Sequence, residues 1–510
     1  MRKKIFIGSI LFFFLLVGLI NITPAKSLTP KDPSKISLSS SPSPAITKDD
    51  CLLYQDIDMK KWNNKIRQEK FDMVLPQVMR KHGIDMWIYV AREEIPDHFA
   101  AEELGSSSGV FVFTDRGDDH IERAILGRRW GKSHRGWGEW RTKLVEECGL
   151  YDFVADAIRV QEPVGSVLTE YDYRFKGLRE FVMARNPQRI AVNYKHDLGP
   201  WVTFIGEKDG LSHTDYVLLT EELGPEYAQR LVSDEYLRMD YIIRTVPSEI
   251  KLLKKMREDE IKCIKKVWQE IIPGVTKVED LGERGDGEVD LVVYRRMKTG
   301  LSQRGRSAGW ENAVVQGGDI IAAPSQGMYA YVLRPDETEP PPEIKKLWQT
   351  YLTVEKILAK TIRAGRTPKE IIREYTQKFA EAGIIVRDNQ MHMVTAKNNW
   401  PLYSAGYEPG QTHISLDMHG MMKGALDRKY ENYFGPRIGS LGPEWSKNIP
   451  LPPYHHFVLE YFFYMPSPTD NLEEDQYLLW WDHEQALATE NGVEYLSPPQ
   501  KELYLIRYHQ

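Results

Sequence analysis

Two hydrophobic periods alternate along the first half of this chain. Helical spacing from Lys65 to His82 leads into an unbroken apolar run, "MWIYVA". Two more short runs, "GVFVFTD" and "ERAILG", follow, then helical spacing near Tyr173–Asn186 and the run "RIAVN". Short apolar runs interleaved with helical stretches predict a mixed α/β domain over residues 51–245. The pattern breaks at "RTVPSE". There Ser248 has the side chain of an N-cap and Glu249 sits in the first turn, so a helix is expected from this point to Ile272, ending at Pro273-Gly274.

Longer elements mark the second half. Ile344, Leu347, Trp348, Tyr351, Leu358 and Ile362 keep a helical period. Thr367-Pro-Lys-Glu370 has the form of a capping box with proline in the first helical position, and Gly383 closes that helix. "THISLDMHG", "YHHFVLEYFFYM" and "HEQALATENGVEYLSPPQ" then read as strands. Long helices beside long strands predict an α+β domain over 246–510.

One residue does not fit its strand. Glu460 lies inside an aromatic and aliphatic run. Alternation puts it on a face with His456, Val458, Phe462 and Tyr464. A carboxylate there costs several kcal/mol unless a cation, a metal or hydrogen-bond donors compensate it. Two readings follow: a structural ion pair with an Arg or His, or a metal ligand. Glu484, His413 and His419 are further candidates, and each taken alone reads as an exposed or hydrogen-bonded bystander.

The first residues differ in kind from the rest. Arg2, Lys3 and Lys4 precede an apolar stretch from Ile5 to Ile20, with Ala25 and Ser27 at the positions an export peptidase reads. This is the pattern of a signal peptide over 1–27, with an uncleaved membrane anchor as the alternative. A Ser/Pro/Lys-rich tether, expected to be disordered, fills 28–50. Cleavage removes Arg2, Lys3, Lys4 and Lys26 and no acid, so the net charge of −6 falls by four to −10. Such a chain has no electrostatic reason to bind nucleic acid or anionic lipid. The expectation is an exported protein, periplasmic or extracellular, touching the membrane only through an uncleaved N-terminus. Three separated cysteines, Cys51, Cys148 and Cys263, allow one bridge and form neither a disulfide framework nor a zinc signature.

Several motifs taken together resemble the Xaa-Pro aminopeptidase (aminopeptidase P)/creatinase family. They are "IIPGVTKVEDL", "YVLRPDETEPPPEIKKLW", "THISLDMHG", "HHFVLEYFF" and "HEQALATENGVEYLSPPQ". The resemblance implies a creatinase-like N-terminal domain and a pita-bread catalytic domain. It also implies two divalent ions held by two Asp, one His and two Glu, which cleave the bond before a proline. On this carry-over His413, Glu460 and Glu484 are ligands of Mn, Zn or Co, and His419 binds or polarises the substrate, a peptide with proline in second position. A homodimer is implied as well.

The resemblance fails at the Asp pair. The corresponding stretch reads "GGDIIAAPSQGMYAYVLRPDE". The first ligand position falls near Pro324 or Ser325, Asp319 precedes the strand, and Asp336 follows the hairpin. No histidine occurs from Thr214 to Met391, and the interval from His413 to His419 is one residue short of the family's. At most one ion, or none, is expected. The alternative is a pseudoenzyme that binds peptides or a partner protein through the same cleft.

Overall fold

The computed structural model describes residues 53–92, 99–117, 120–128, 149–156, 158–164, 167–196, 210–281, 283–284, 289–295, 313–387, 411–420, 435–439, 444–466 and 477–508. The N-terminal apolar stretch and the tether lie outside them. Among the described residues no helix is long and apolar enough to cross a membrane.

The chain enters through α1 (Met59–Glu69), a π-type turn and α2 (Leu75–Lys81). Then come β1 (Met86–Ala91), β2 (Gly109–Asp115), β3 (Ile121–Arg128), β4 (Phe153–Asp156) and a hairpin of β5 (Ile158–Val164) and β6 (Val167–Tyr173). They are followed by α3 (Leu178–Met183), β7 (Ile190–Val192), α4 (His213–Ala228), β8 (Leu231–Ser233) and α5 (Glu235–Ile242). Six of the strands form one sheet in the order β4-β3-β2-β1-β7-β8. Its central strand is buried on both faces, which explains the unbroken apolar run of "MWIYVA".

The next helix, α6 (Pro247–Glu270), begins as expected, but Ser248 is its second residue rather than its cap. The capping comes from far away. Glu69 at the end of α1 accepts the Ser248 backbone N–H at 2.8 Å and the Ser248 hydroxyl. An N-terminal amide that the helix itself leaves unpaired is thus satisfied by a carboxylate that also suits the helix dipole.

Beyond α6 come two short strands, β9 (Glu283–Arg284) and β10 (Val289–Asp290), and then β11 (Val292–Tyr294), β12 (Ile320–Ala323) and β13 (Met328–Val332). After them are α7 (Pro342–Thr361), α8 (Pro368–Glu381), β14 (Ile384–Val386), β15 (Thr412–Gly420) and β16 (Ile438–Gly439). The chain closes with β17 (His455–Pro466), β18 (Tyr477–Thr489), β19 (Gly492–Tyr495) and β20 (Tyr504–Ile506). The capping box at Thr367 and Glu370 is formed in full.

A second large sheet runs β14-β15-β17-β18-β19, with β16 beside β15. Its two faces have different jobs. Ile414, Leu416, Met418, Leu459, Tyr461, Phe463, Trp480 and Ala486 pack with Ile344, Leu347, Tyr351, Ile371 and Phe379 of α7 and α8 in one hydrophobic core. The alternate positions point the other way, and these include Glu460. The whole is a mixed α/β fold in which the helices α7 and α8 cover one face of this sheet, while the other face carries His413, Asp417, His419, Glu460 and His483 beside apolar Val458 and Leu487.

Candidate metal centre

The register of β15, β17 and β18 decides which candidates can meet. On β17, Glu460 pairs with His483 of β18, while Glu484 pairs with Leu459. On β15, His419 pairs with Val458 and His413 with Tyr464. His413, His419, Glu460 and His483 therefore share a face. Glu484 belongs to the opposite one.

Three of these side chains converge. Glu460 Oε2 lies 3.3 Å from His419 Nε2 and 4.0 Å from His483 Nε2. One donor atom from each of the three lies within 4.8 Å of the other two. The imidazole rings of His419 and His483 are 5.8 Å apart, centre to centre. His419 Nδ1 lies 3.3 Å from the Gly420 carbonyl oxygen. As the donor in that contact it leaves Nε2, the nitrogen facing Glu460, with its lone pair. His419 is buried, whereas Glu460 and His483 are half-buried, so the group is open on one side. Phe462 and Trp481, one position further along the same face, stack at 5.7 Å and 12° and are also half-buried.

Two of the expected ligands are elsewhere. His413 is buried, and its Nδ1 accepts a hydrogen bond from Arg387 Nε at 3.2 Å. It pairs four residues along β17 from Glu460, about 13 Å away at the strand rise. Glu484 is buried on the helix side of the sheet, against Gly327. It lies with Asp482 and with Glu355 of α7. The Tyr461 hydroxyl donates to Glu355 at 2.6 Å and lies 3.2 Å from an Asp482 oxygen, and Tyr495 also donates to Glu355. Burial, and after it the charges of Asp482 and Glu355, push Glu484 well above the ordinary carboxylate range. Asp482 is raised in the same way, by burial and then by Glu355. The structure does not bring His413, Glu460 and Glu484 together. His419 and Glu460 are together, and His483 takes the place expected for Glu484.

The substitute acids are committed or remote. Arg295 Nε and Nη2 each donate to Asp319 at 2.7 Å, and the Gln316 backbone N–H adds a third bond at 2.9 Å. Asp336 is exposed in a turn. Between β12 and β13 lie only Pro324, Ser325, Gln326 and Gly327, so this hairpin offers no carboxylate. Asp417, on the face of Glu460, is buried against Arg437, which donates Nε to Oδ1 at 2.7 Å and Nη2 to the other oxygen. A two-ion site does not fit these residues. One ion fits His419, Glu460 and His483. Bonds of about 2.0–2.2 Å at tetrahedral angles place ligand atoms roughly 3.3–3.6 Å apart, and the His419–Glu460 pair already has that spacing.

No protein-family model and no curated protein matches this chain. Its fold is similar to several solved structures. An X-Pro aminopeptidase from Thermotoga maritima MSB8 is 14% identical, with a TM-score of 0.47 over 84% of this chain and 100% of that one. A Xaa-Pro dipeptidase from Bacillus anthracis is also 14% identical, with a TM-score of 0.45 over 87% of this chain and 100% of that one. A prolidase from Pyrococcus horikoshii OT3, 14% identical, gives a TM-score of 0.42 over 86% of this chain and 99% of that one.

Proposed function

We propose that this chain is a divergent pita-bread protein of the Xaa-Pro aminopeptidase/creatinase type, with a creatinase-like domain over 51–245 and a catalytic-type domain over 246–510. Its substrate is a peptide with proline in second position, and its reaction is hydrolysis of the bond before that proline. The observation that carries this reading is the meeting of His419, Glu460 and His483 on the face of the second sheet opposite α7 and α8. A bound divalent ion would polarise the scissile carbonyl and lower the pKa of the attacking water. The chain's own side chains hold and orient. His419 is fixed by the Gly420 carbonyl, and the half-buried Phe462–Trp481 stack offers an apolar wall against which a proline ring can lie.

Export is part of the same proposal. Cys263 is disulfide-bonded, which suits an oxidising compartment, and the charged, apolar and small-residue order of the N-terminus suits a signal peptide.

A second reading has its own support. The β12–β13 hairpin carries no acid and Asp319 is tied to Arg295, so a peptide-binding homologue without turnover is the alternative. One experiment separates the two. The purified protein is assayed on Xaa-Pro dipeptides with and without added Mn²⁺ or Zn²⁺, beside Glu460→Gln. Turnover that disappears in the variant supports the hydrolase. Calorimetric binding of the dipeptide without turnover supports the binding module, and neither binding nor turnover removes both.

A further inference from the structure

We propose that the site holds a single ion of the zinc class, with His419 Nε2, Glu460 and His483 Nε2 as its three protein ligands. This departs from the two-ion, carboxylate-rich centre that the motifs imply. It uses the same site as the reading above but does not depend on turnover.

Geometry gives the first reason. The three donor atoms already lie within 4.8 Å of one another, and the His419–Glu460 distance of 3.3 Å needs no change. His483, at 4.0 Å from the same oxygen, must approach by roughly half an ångström to reach tetrahedral spacing. It is the more exposed imidazole of the two, its side chain 24% accessible against 6% for His419, and so the freer to adjust.

Tautomer gives the second. His419 Nδ1 is turned to the Gly420 carbonyl at 3.3 Å. A neutral ring donating there presents a lone pair at Nε2 to a carboxylate oxygen. Two such atoms at 3.3 Å repel unless something positive lies between them. That positive species is either a proton on the imidazole or a cation. The second imidazole, with its Nε2 4.0 Å from the same oxygen, gives a cation its third donor. A backbone acceptor on the far nitrogen is also the usual device for orienting a histidine ligand.

Donor type gives the third. Two imidazoles and one carboxylate suit zinc and its neighbours, whereas oxygen-rich sets suit Mn²⁺ and Mg²⁺. Three protein ligands and one open side are the arrangement of catalytic rather than structural zinc. A second ion finds no ligands among the acids described, because Asp417 is held by Arg437, Asp319 by Arg295, and Glu484 faces the helices.

The test uses the full chain stripped with a chelator and titrated with Zn²⁺ by calorimetry, then with Co²⁺ as an absorbing substitute. One Zn²⁺ per chain is expected, together with the intense visible band of a four- or five-coordinate Co²⁺. Glu460→Gln and His483→Ala should each weaken uptake by roughly tenfold or more, while Asp319→Asn and His413→Gln should leave it unchanged. No uptake by the unmutated chain means that these side chains are satisfied without an ion, and it overturns the proposal. So do two ions per chain, or unaltered uptake by His483→Ala. If a variant does not fold, the Co²⁺ band of the unmutated chain still decides, since a weak six-coordinate band also overturns it. Zinc uptake without Xaa-Pro turnover would leave this inference standing and remove the peptidase reading.

Discussion

His455, the first residue of β17, should make the protein acid-sensitive by an amount that can be worked out. Its side chain is buried, its Nδ1 lies 3.2 Å from the Ile243 carbonyl oxygen, and its ring stacks on Phe457 at 6.1 Å. Burial lowers its pKa from 6.5 to about 4, and the bond to Ile243 only partly opposes this. The folded chain therefore keeps the ring neutral where the unfolded chain protonates it. Below pH 6.5 the unfolded state binds more protons, so stability falls with falling pH until the folded pKa is reached. Each pH unit inside that window is worth about 1.4 kcal/mol, and the whole window about 3 kcal/mol. That is a large part of the roughly 5–15 kcal/mol that holds a domain together. The perturbation is His455→Asn, whose amide can still donate to Ile243 but does not titrate. Urea unfolding followed by tryptophan fluorescence, at steps from pH 7.5 to 4.5 and constant ionic strength, gives both profiles. The variant should start less stable, having lost the Phe457 stack, and should then lose less on acidification. The two curves should converge through the window. Parallel curves would refute the reasoning, because they would mean that His455 gains its proton equally in both states.

Three other expectations follow from the same packing. Gly327 has φ +61° and a Cβ there would lie 2.3 Å from Glu484 Oε2. Gly327→Ala should cost about 2 kcal/mol or more, from left-handed backbone plus the displaced carboxylate, and an unchanged melting temperature would contradict this. Asp319→Ala removes the acceptor of two Arg295 bonds and of the Gln316 N–H and should lower stability by about 1–3 kcal/mol, as read by thermal unfolding. Tyr461→Phe removes the hydroxyl that contacts both Glu355 and Asp482 and should cost about 1–3 kcal/mol, with no effect on metal uptake from the far side of the sheet.

Much of the architecture could be read locally. The strands at "MWIYVA" and "GVFVFTD" begin and end where the apolar runs do. The Thr367 capping box forms because both of its partners lie within one turn. Glu460 was assigned the correct face-mates from alternation on a single strand. What failed was everything that needed a second strand or a distant partner. Nothing between Glu460 and Glu484 fixes the register of that hairpin, and a slip of one residue moves every side chain to the other face. With acids at Asp482 and Glu484 and an imidazole at His483 between them, either face of β18 could have supplied a ligand. Only the pairing of Glu460 with His483 settles it. Ser248 looked like a cap because the carboxylate that satisfies its amide stands 179 positions earlier. No local pattern shows what Asp319 does, because its partner, Arg295, lies 24 residues upstream.

Two departures from the family motif then become one. Two divalent ions carry four positive charges, and the implied ligand set of two Asp and two Glu carries four negative ones. Here the hairpin has neither Asp, and the position facing Glu460 holds an imidazole in place of an acid. A single carboxylate with two imidazoles is far short of neutralising two ions, but it is an ordinary partner for one. With the hairpin acids alone absent, two carboxylates and one imidazole would still balance a single ion, so the missing acids account for the lost second ion and the imidazole for the donor type at the first. Had the imidazole alone been gained, the second ion would lack part of its charge balance. On the single-ion proposal both differences act in one direction: they bring the negative charge around Glu460 down to what one divalent ion requires.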